Sequence, residues 1–90
     1  MRTTQLTIVN QRGLHGRASM KFVELARRFP CEIQAGTSLE QLVDGKNILS
    51  LMLLAAAKGQ QIVITAKGEA QQEAIAALTE LVEAGFYEEQ

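Results

Sequence analysis

Residues 3–9 place Leu6 and Ile8 between Gln5 and Thr7, an alternation with β-branched residues that predicts a strand. Asn10 to Gly13 reads as a loop. From Gly16 to Phe29 the apolar positions are Met20, Phe22, Val23, Leu25, Ala26 and Phe29. Their spacing by three and four predicts a helix with one buried stripe. Arg27 and Arg28 fall in its last turn, where positive charge suits the helix dipole, and Pro30 stops it. Cys31, Ile33 and Ala35 alternate with Glu32 and Gln34 as a second strand. Gly36 to Ser38 is a turn, and Leu39 to Asp44 a third strand antiparallel to the second. Asn47 is a good N-cap for a helix from Ile48 to Lys58, with Gly59 as its terminator. Gln61 to Lys67 alternates again and predicts a fourth strand. Ala70 to Ala84 carries Ala74, Ala77, Leu78, Leu81 and Val82 on one helical face, with Gly85 able to cap it. The acidic tail F-Y-E-E-Q is expected to fray.

The predicted order is β-α-β-β-α-β-α. Amphipathic helices and a half-buried sheet imply an α+β sandwich, with the helices on one face of a mainly antiparallel sheet. Ninety residues suit one domain spanning 1–90. Such a chain buries about 60–65% of the surface its unfolded state exposes, which leaves a small but sufficient core.

The second helix does not fit one stripe. If Leu51, Leu54 and Ala55 of I-L-S-L-M-L-L-A-A-A face inward, then Ile48, Leu49 and Met52 face outward, and the opposite phase exchanges the two sets; either way an apolar patch is left over. Two readings stay open: a helix wedged deep in the core, or an apolar docking patch. Methionine suits a surface that fits more than one partner, because its thioether is flexible and polarizable.

Charge narrows the function. The net charge is −1 with acids and bases interspersed, so the electrostatic attraction that dominates nucleic-acid binding is missing. One cysteine, Cys31, cannot form an internal disulfide; it reads as a small core residue in a reducing compartment. One His and one Cys are too few for a metal site, and no cofactor is implied. No charged-then-apolar leader is seen, and the longest apolar run, Ile48 to Ala57, is too short to insert in a membrane. The expected location is cytoplasmic.

The chemistry concentrates in G-L-H-G-R-A-S, residues 13–19, which holds the only histidine, His15. A helix begins directly after it, and Arg17 follows by two. Imidazole supplies a nucleophile that titrates near neutral pH. The helix start supplies unpaired N–H groups and the positive end of the dipole. Arginine supplies a planar cationic fork. Alone, the trio is not specific: it also fits an ordinary loop histidine and a solvated first-turn arginine. Arg27, Arg28, Lys21 and Lys46 fit either an acidic partner or plain solvation.

The whole chain resembles HPr, the histidine-containing phosphocarrier family of the bacterial phosphoenolpyruvate-dependent phosphotransferase system. G-L-H-G-R-A-S-M-K-F is similar to the family's phosphorylation motif, and D-G-K-N-I-L-S-L-M-L-L-A-A-A-K-G to its second signature. The resemblance implies an open-faced β-sandwich with a four-stranded antiparallel sheet of order 1-4-2-3, covered on one face by three helices. It implies that His15 is phosphorylated on Nδ1 by phospho-Enzyme I, or its nitrogen-branch counterpart, and passes the group to a histidine of an Enzyme IIA. Arg17 and the N–H groups of Gly16 and Arg17 would hold the phosphoryl oxygens. Ile48, Leu49, Met52 and Met20 would dock the partners. The chain would act as a monomer and as a carrier without turnover of its own.

Three positions depart from the family pattern. Gly16 stands where Ala or Thr is usual, and Ala18 where Pro is commonest. Asn47 replaces a serine that a regulatory kinase phosphorylates in many relatives, so no regulatory serine is expected, and Ser50 is no substitute. M-K-F, L-M-L-L and E-A-G-F-Y-E-E are similar to the nitrogen-related branch, NPr. A function of another class stays possible on this fold: a regulatory module that docks to a target, with His15 as a switch. A hydrolase with a histidine nucleophile lacks an orienting acid near His15 in the sequence.

Overall fold

The structure is a computed structural model that describes residues 1–88. Its elements are β1 (Arg2–Thr7), α1 (Gly16–Ala26), β2 (Glu32–Gly36), β3 (Leu42–Asp44), α2 (Ile48–Leu53), β4 (Gln61–Lys67) and α3 (Gln71–Glu83), followed by a 3₁₀ turn at Gly85–Tyr87. The strands form one antiparallel sheet in the order β1-β4-β2-β3. This is the order that the resemblance implied.

β4 lies between β1 and β2, and that position explains its burial. Ile62, Ile64 and Ala66 point into the core. Val63 and Thr65, on the other face, are buried too, because Thr3 and Gln5 pair beside them on one side and Gln34 and Gly36 on the other. A strict alternation in sequence thus becomes a strand buried throughout its middle. The helices close the core with Phe22 and Ala26 of α1, Leu51 of α2, and Leu78 and Val82 of α3, all fully buried with Ile8 and Ile33. Cys31 is buried at 2% exposure, as a small apolar residue would be.

Four expectations need correction. The helix expected to reach Phe29 ends at Ala26; Arg28 and Phe29 turn tightly, bonding back to Leu25 and Ala26. Arg27 caps the helix, so no basic residue lies in its last turn. β3 begins at Leu42 and not at Leu39. Gly36 pairs with Leu42, so residues 37–41 must make the reversal. The helix expected to reach Lys58 ends at Leu53. There Ala55 turns left-handed (φ 51°), and the following carbonyls and amides bond elsewhere. The Ala56 carbonyl accepts from Leu14 N–H at 2.9 Å, and Gly59 N–H donates to Ile8 O at 2.8 Å. Tertiary hydrogen bonds thus outweigh helix propensity over three alanines. Ala55, expected inward, is exposed.

The fourth correction concerns the tail. Gly85 is left-handed (φ 63°) and ends α3 as expected. Phe86 is then fully buried instead of frayed, and Lys21 Nζ donates to its carbonyl at 2.6 Å. Glu88 is half-buried. Glu89 and Gln90 lie outside the described residues.

Candidate functional site

His15 is the N-cap of α1. Its backbone is extended (φ −76°, ψ −177°), its carbonyl accepts from Ser19 N–H at 2.8 Å, and its ring Nδ1 accepts from Arg17 N–H at 3.3 Å. An N-cap is ordinarily Ser, Thr, Asp or Asn. Here an imidazole nitrogen fills the place, and this brings it against the free N–H end of the helix.

The segment before His15 is fixed on three sides. Leu14 is buried, and its N–H donates to Ala56 O. Ser19, fully buried, donates its hydroxyl to Leu14 O at 3.1 Å. Gly13 is left-handed (φ 65°), and a Cβ there would lie 2.3 Å from Ala56 O. Only glycine lets the two segments approach this closely. His15, Gly16, Leu14 and Arg12 line a groove of about 310 Å³ with Met52, Ala55, Ala56 and Ala57.

The other ring nitrogen has a partner that sequence reasoning missed. His15 Nε2 lies 2.5 Å from Glu88 Oε2, although the two residues are 73 positions apart. Their side chains are 22% and 14% exposed. Fully buried Asn10 holds the carboxylate, donating from Nδ2 to Glu88 Oε1 at 2.9 Å and to Gly13 O at 2.8 Å. Burial works to raise the Glu88 carboxyl. The bonds from Asn10 and His15 and the charge of Lys21 overcome it and hold the group below its ordinary value. The orienting acid that the sequence does not offer near His15 therefore comes from the far end of the chain. It sits on the Nε2 edge, away from Nδ1, so it holds the ring and is not placed to activate water at a phosphorus on Nδ1.

The Arg17 side chain is exposed and finds no acceptor among the described residues. On α2, Leu49 is 68% exposed, Met52 42% and Leu53 83%, and on α1 Met20 is 51% exposed. Ile48, expected to face outward, packs half-buried against the core, and Leu53 takes its place on the outer side. Leu51 is buried and Leu54 packs half-buried against the core, one of the two phases that the periodicity allowed.

The chain as a whole is similar to known proteins. A family profile described as "PTS HPr component phosphorylation site" matches residues 2–84. The chain is 45% identical to the phosphocarrier protein HPr of Pseudomonas putida over 99% of this chain and 98% of that one. It is 35% identical to the phosphocarrier protein NPr of Klebsiella oxytoca, over 91% of each. A crystal structure of HPr-C-His from Thermoanaerobacter tengcongensis aligns over the whole of both chains, with TM-score 0.93 and 33% identity. The chain belongs to the HPr family of phosphocarriers.

The structure bears on two of the departures from the family pattern, Asn47 and Gly16. Asn47 caps α2 by accepting from Ser50 N–H at 3.0 Å, as a serine hydroxyl would. A Cβ at Gly16 would meet only Met52 Cε, at 3.7 Å, so glycine is not required there for space. Of the ambiguous cations, Lys21, Arg27 and Lys46 donate to backbone carbonyls within the fold. Arg27 donates to Lys46 O from Nε and Nη2 at 3.2 and 3.0 Å, and Lys46 Nζ donates to Phe29 O at 2.7 Å. Glu88 carried no sequence signal, because it lies 73 positions from His15, and Asn10, in the loop just before the histidine, shows its role only through Glu88. Ser19 did carry one: a polar residue on the apolar face of a helix must find a buried partner.

Proposed function

We propose that this phosphocarrier accepts a phosphoryl group on His15 Nδ1 from phospho-Enzyme I, or its nitrogen-branch counterpart, and passes it to a histidine of an Enzyme IIA. The observation that carries this reading is the direction of Nδ1, which faces the Arg17 N–H at the start of α1.

When the phosphoryl group arrives, the Nδ1 lone pair is consumed and the capping bond is lost. The Arg17 N–H then has a phosphoryl oxygen to donate to, and Gly16 N–H a second. The group enters the positive end of the dipole, and the Arg17 guanidinium can swing over it. Each of these contributions is worth about 1 kcal/mol at an exposed helix end. That size suits a carrier, which must release what it accepts. The group moves in line between two histidines, and the docked complex supplies the positioning. Leu49, Met52, Met20 and the half-buried Ile48 form the docking surface of this reading. Leu53, more exposed than any of them, joins it. The chain acts as a cytoplasmic monomer, and Asn47 leaves its α2 cap without a regulatory hydroxyl.

The test uses labelled phosphoenolpyruvate with each purified donor, on wild type and His15→Ala. Acid-labile label on wild type alone is the expected result, and the preferred donor names the branch. No label from either donor sinks the carrier reading. Capture of a target equally by both proteins would then support the regulatory module.

A further inference from the structure

Two contacts on opposite edges of His15 require the same tautomer. Arg17 N–H can only donate, so Nδ1 must present a lone pair. An ionised carboxylate can only accept, so Nε2 must carry the proton. We propose that Glu88 is a positioning residue for His15: its carboxylate keeps the ring proton on Nε2 and so presents Nδ1, with its lone pair bare, to the incoming phosphorus.

The surroundings of Glu88 fit this role better than a simple staple for the tail. Buried Phe86 and the Lys21 bond to its carbonyl already anchor the chain end. Neither needs a carboxylate on the histidine. Asn10 is a fully buried amide whose Oδ1 has no partner among the described residues, a costly arrangement. Its Nδ2 joins the loop carbonyl of Gly13 to the Glu88 carboxylate, so one side chain ties the segment before His15 to the group behind it. The carboxyl also stays ionised below the usual carboxylate range, which keeps it an acceptor at neutral pH.

The proposal rests on the carrier reading and adds its proton bookkeeping. The Nδ1 lone pair forms the bond to phosphorus as the bond from phosphorus to the donor nitrogen breaks, and that electron pair leaves with the donor. The Nε2 proton stays in place. The phosphorylated ring is therefore cationic, and the Glu88 carboxylate balances it, much as the buried acid of a Ser-His-Asp triad stabilises its imidazolium. Onward transfer runs the same steps in reverse, and no proton has to enter or leave the site.

The test is nitrogen-15 NMR of the imidazole ring in the full chain, with transfer kinetics from phospho-Enzyme I, on wild type, Glu88→Ala and Glu88→Gln. Wild type should show Nε2 protonated, Nδ1 bare and a slowly exchanging Nε2–H. Glu88→Ala should mix the tautomers and expose that proton. Its kcat should fall by on the order of tenfold with KM unchanged, the size of one lost hydrogen bond to a charged group. Glu88→Gln, whose amide oxygen still accepts, should keep the tautomer and lose only part of the rate. A single tautomer that persists in Glu88→Ala overturns the proposal, whether or not the tail loosens. If wild type takes up no phosphoryl group while the ring signature still depends on Glu88, the carrier reading fails alone and the positioning of His15 by Glu88 stands.

Discussion

Among the described residues, the two N-caps whose side chains accept a helix N–H have the same form and different consequences. Asn47 and His15 are both extended, and each accepts a backbone N–H of the helix it opens. Asn47 does so at 3.0 Å with an amide oxygen that titrates nowhere near neutral pH. His15 does so at 3.3 Å with a nitrogen that is also a nucleophile. The first bond fixes a helix end. The second is weak enough to be given up, and losing it leaves donors aimed at whatever has taken the nitrogen. A capping position becomes a reaction centre when the cap is a group that can form a covalent bond and the surrounding scaffold does not depend on the capping bond.

That scaffold is the first thing to break. Gly13→Ala puts a Cβ into the Ala56 carbonyl at a positive φ. It should destabilise the protein by about 2–4 kcal/mol, read by urea denaturation, with little change in slope. The α2 cap should not notice except through global unfolding.

Exchanging the caps sharpens the contrast. Asn47→Ala should cost about 1 kcal/mol of stability and leave phosphoryl uptake at saturating donor unchanged. His15→Asn should abolish uptake while holding stability within about 1 kcal/mol of wild type, since Asn is a preferred N-cap. Thermal melts with a labelled transfer assay read both. If His15→Asn proved several kcal/mol less stable, the histidine would be part of the scaffold and the distinction between the two caps would fail.

The smallest effect separates the caps by pH. The Glu88 carboxyl is held below its ordinary value of 4.5, so its contribution is fully present above pH 4.5 and is lost as pH falls through its lowered folded value. The difference in melting temperature between wild type and Glu88→Gln should shrink on acidification below pH 4.5. Asn47→Ala should show a pH-independent difference over the same range. A Glu88→Gln difference that grew toward low pH would contradict the sign of the shift.

Periodicity and punctuation made most of the fold legible. The alternation of residues 61–67, the stripe of Ala74, Leu78, Leu81 and Val82, the Asn47 cap and the Gly85 stop all appear in the structure where local chemistry puts them. The helix ends were less legible, because Leu53 and Ala26 stop their helices through bonds and turns that propensity does not encode. The His15–Arg17 pair at a helix start was readable because everything it needs lies within three residues. The family resemblance followed from two motifs that the chain displays with three departures.

Tertiary structure alone decided what stands behind the histidine. Glu88 reaches His15 because α3 crosses the sheet, Gly85 reverses the chain and Phe86 sinks into the core. Asn10 meets that carboxylate because the β1–α1 loop and the chain end come together at one edge of the molecule. α2 stops at Leu53 because the chain turns at Ala55 and the Ala56 carbonyl bonds to Leu14 instead of continuing the helix. Sequence fixes interactions whose partners lie within a helical turn or a strand's alternation, where geometry is set by local torsions. A contact across 73 residues depends on how the whole core closes, and no local pattern reports that.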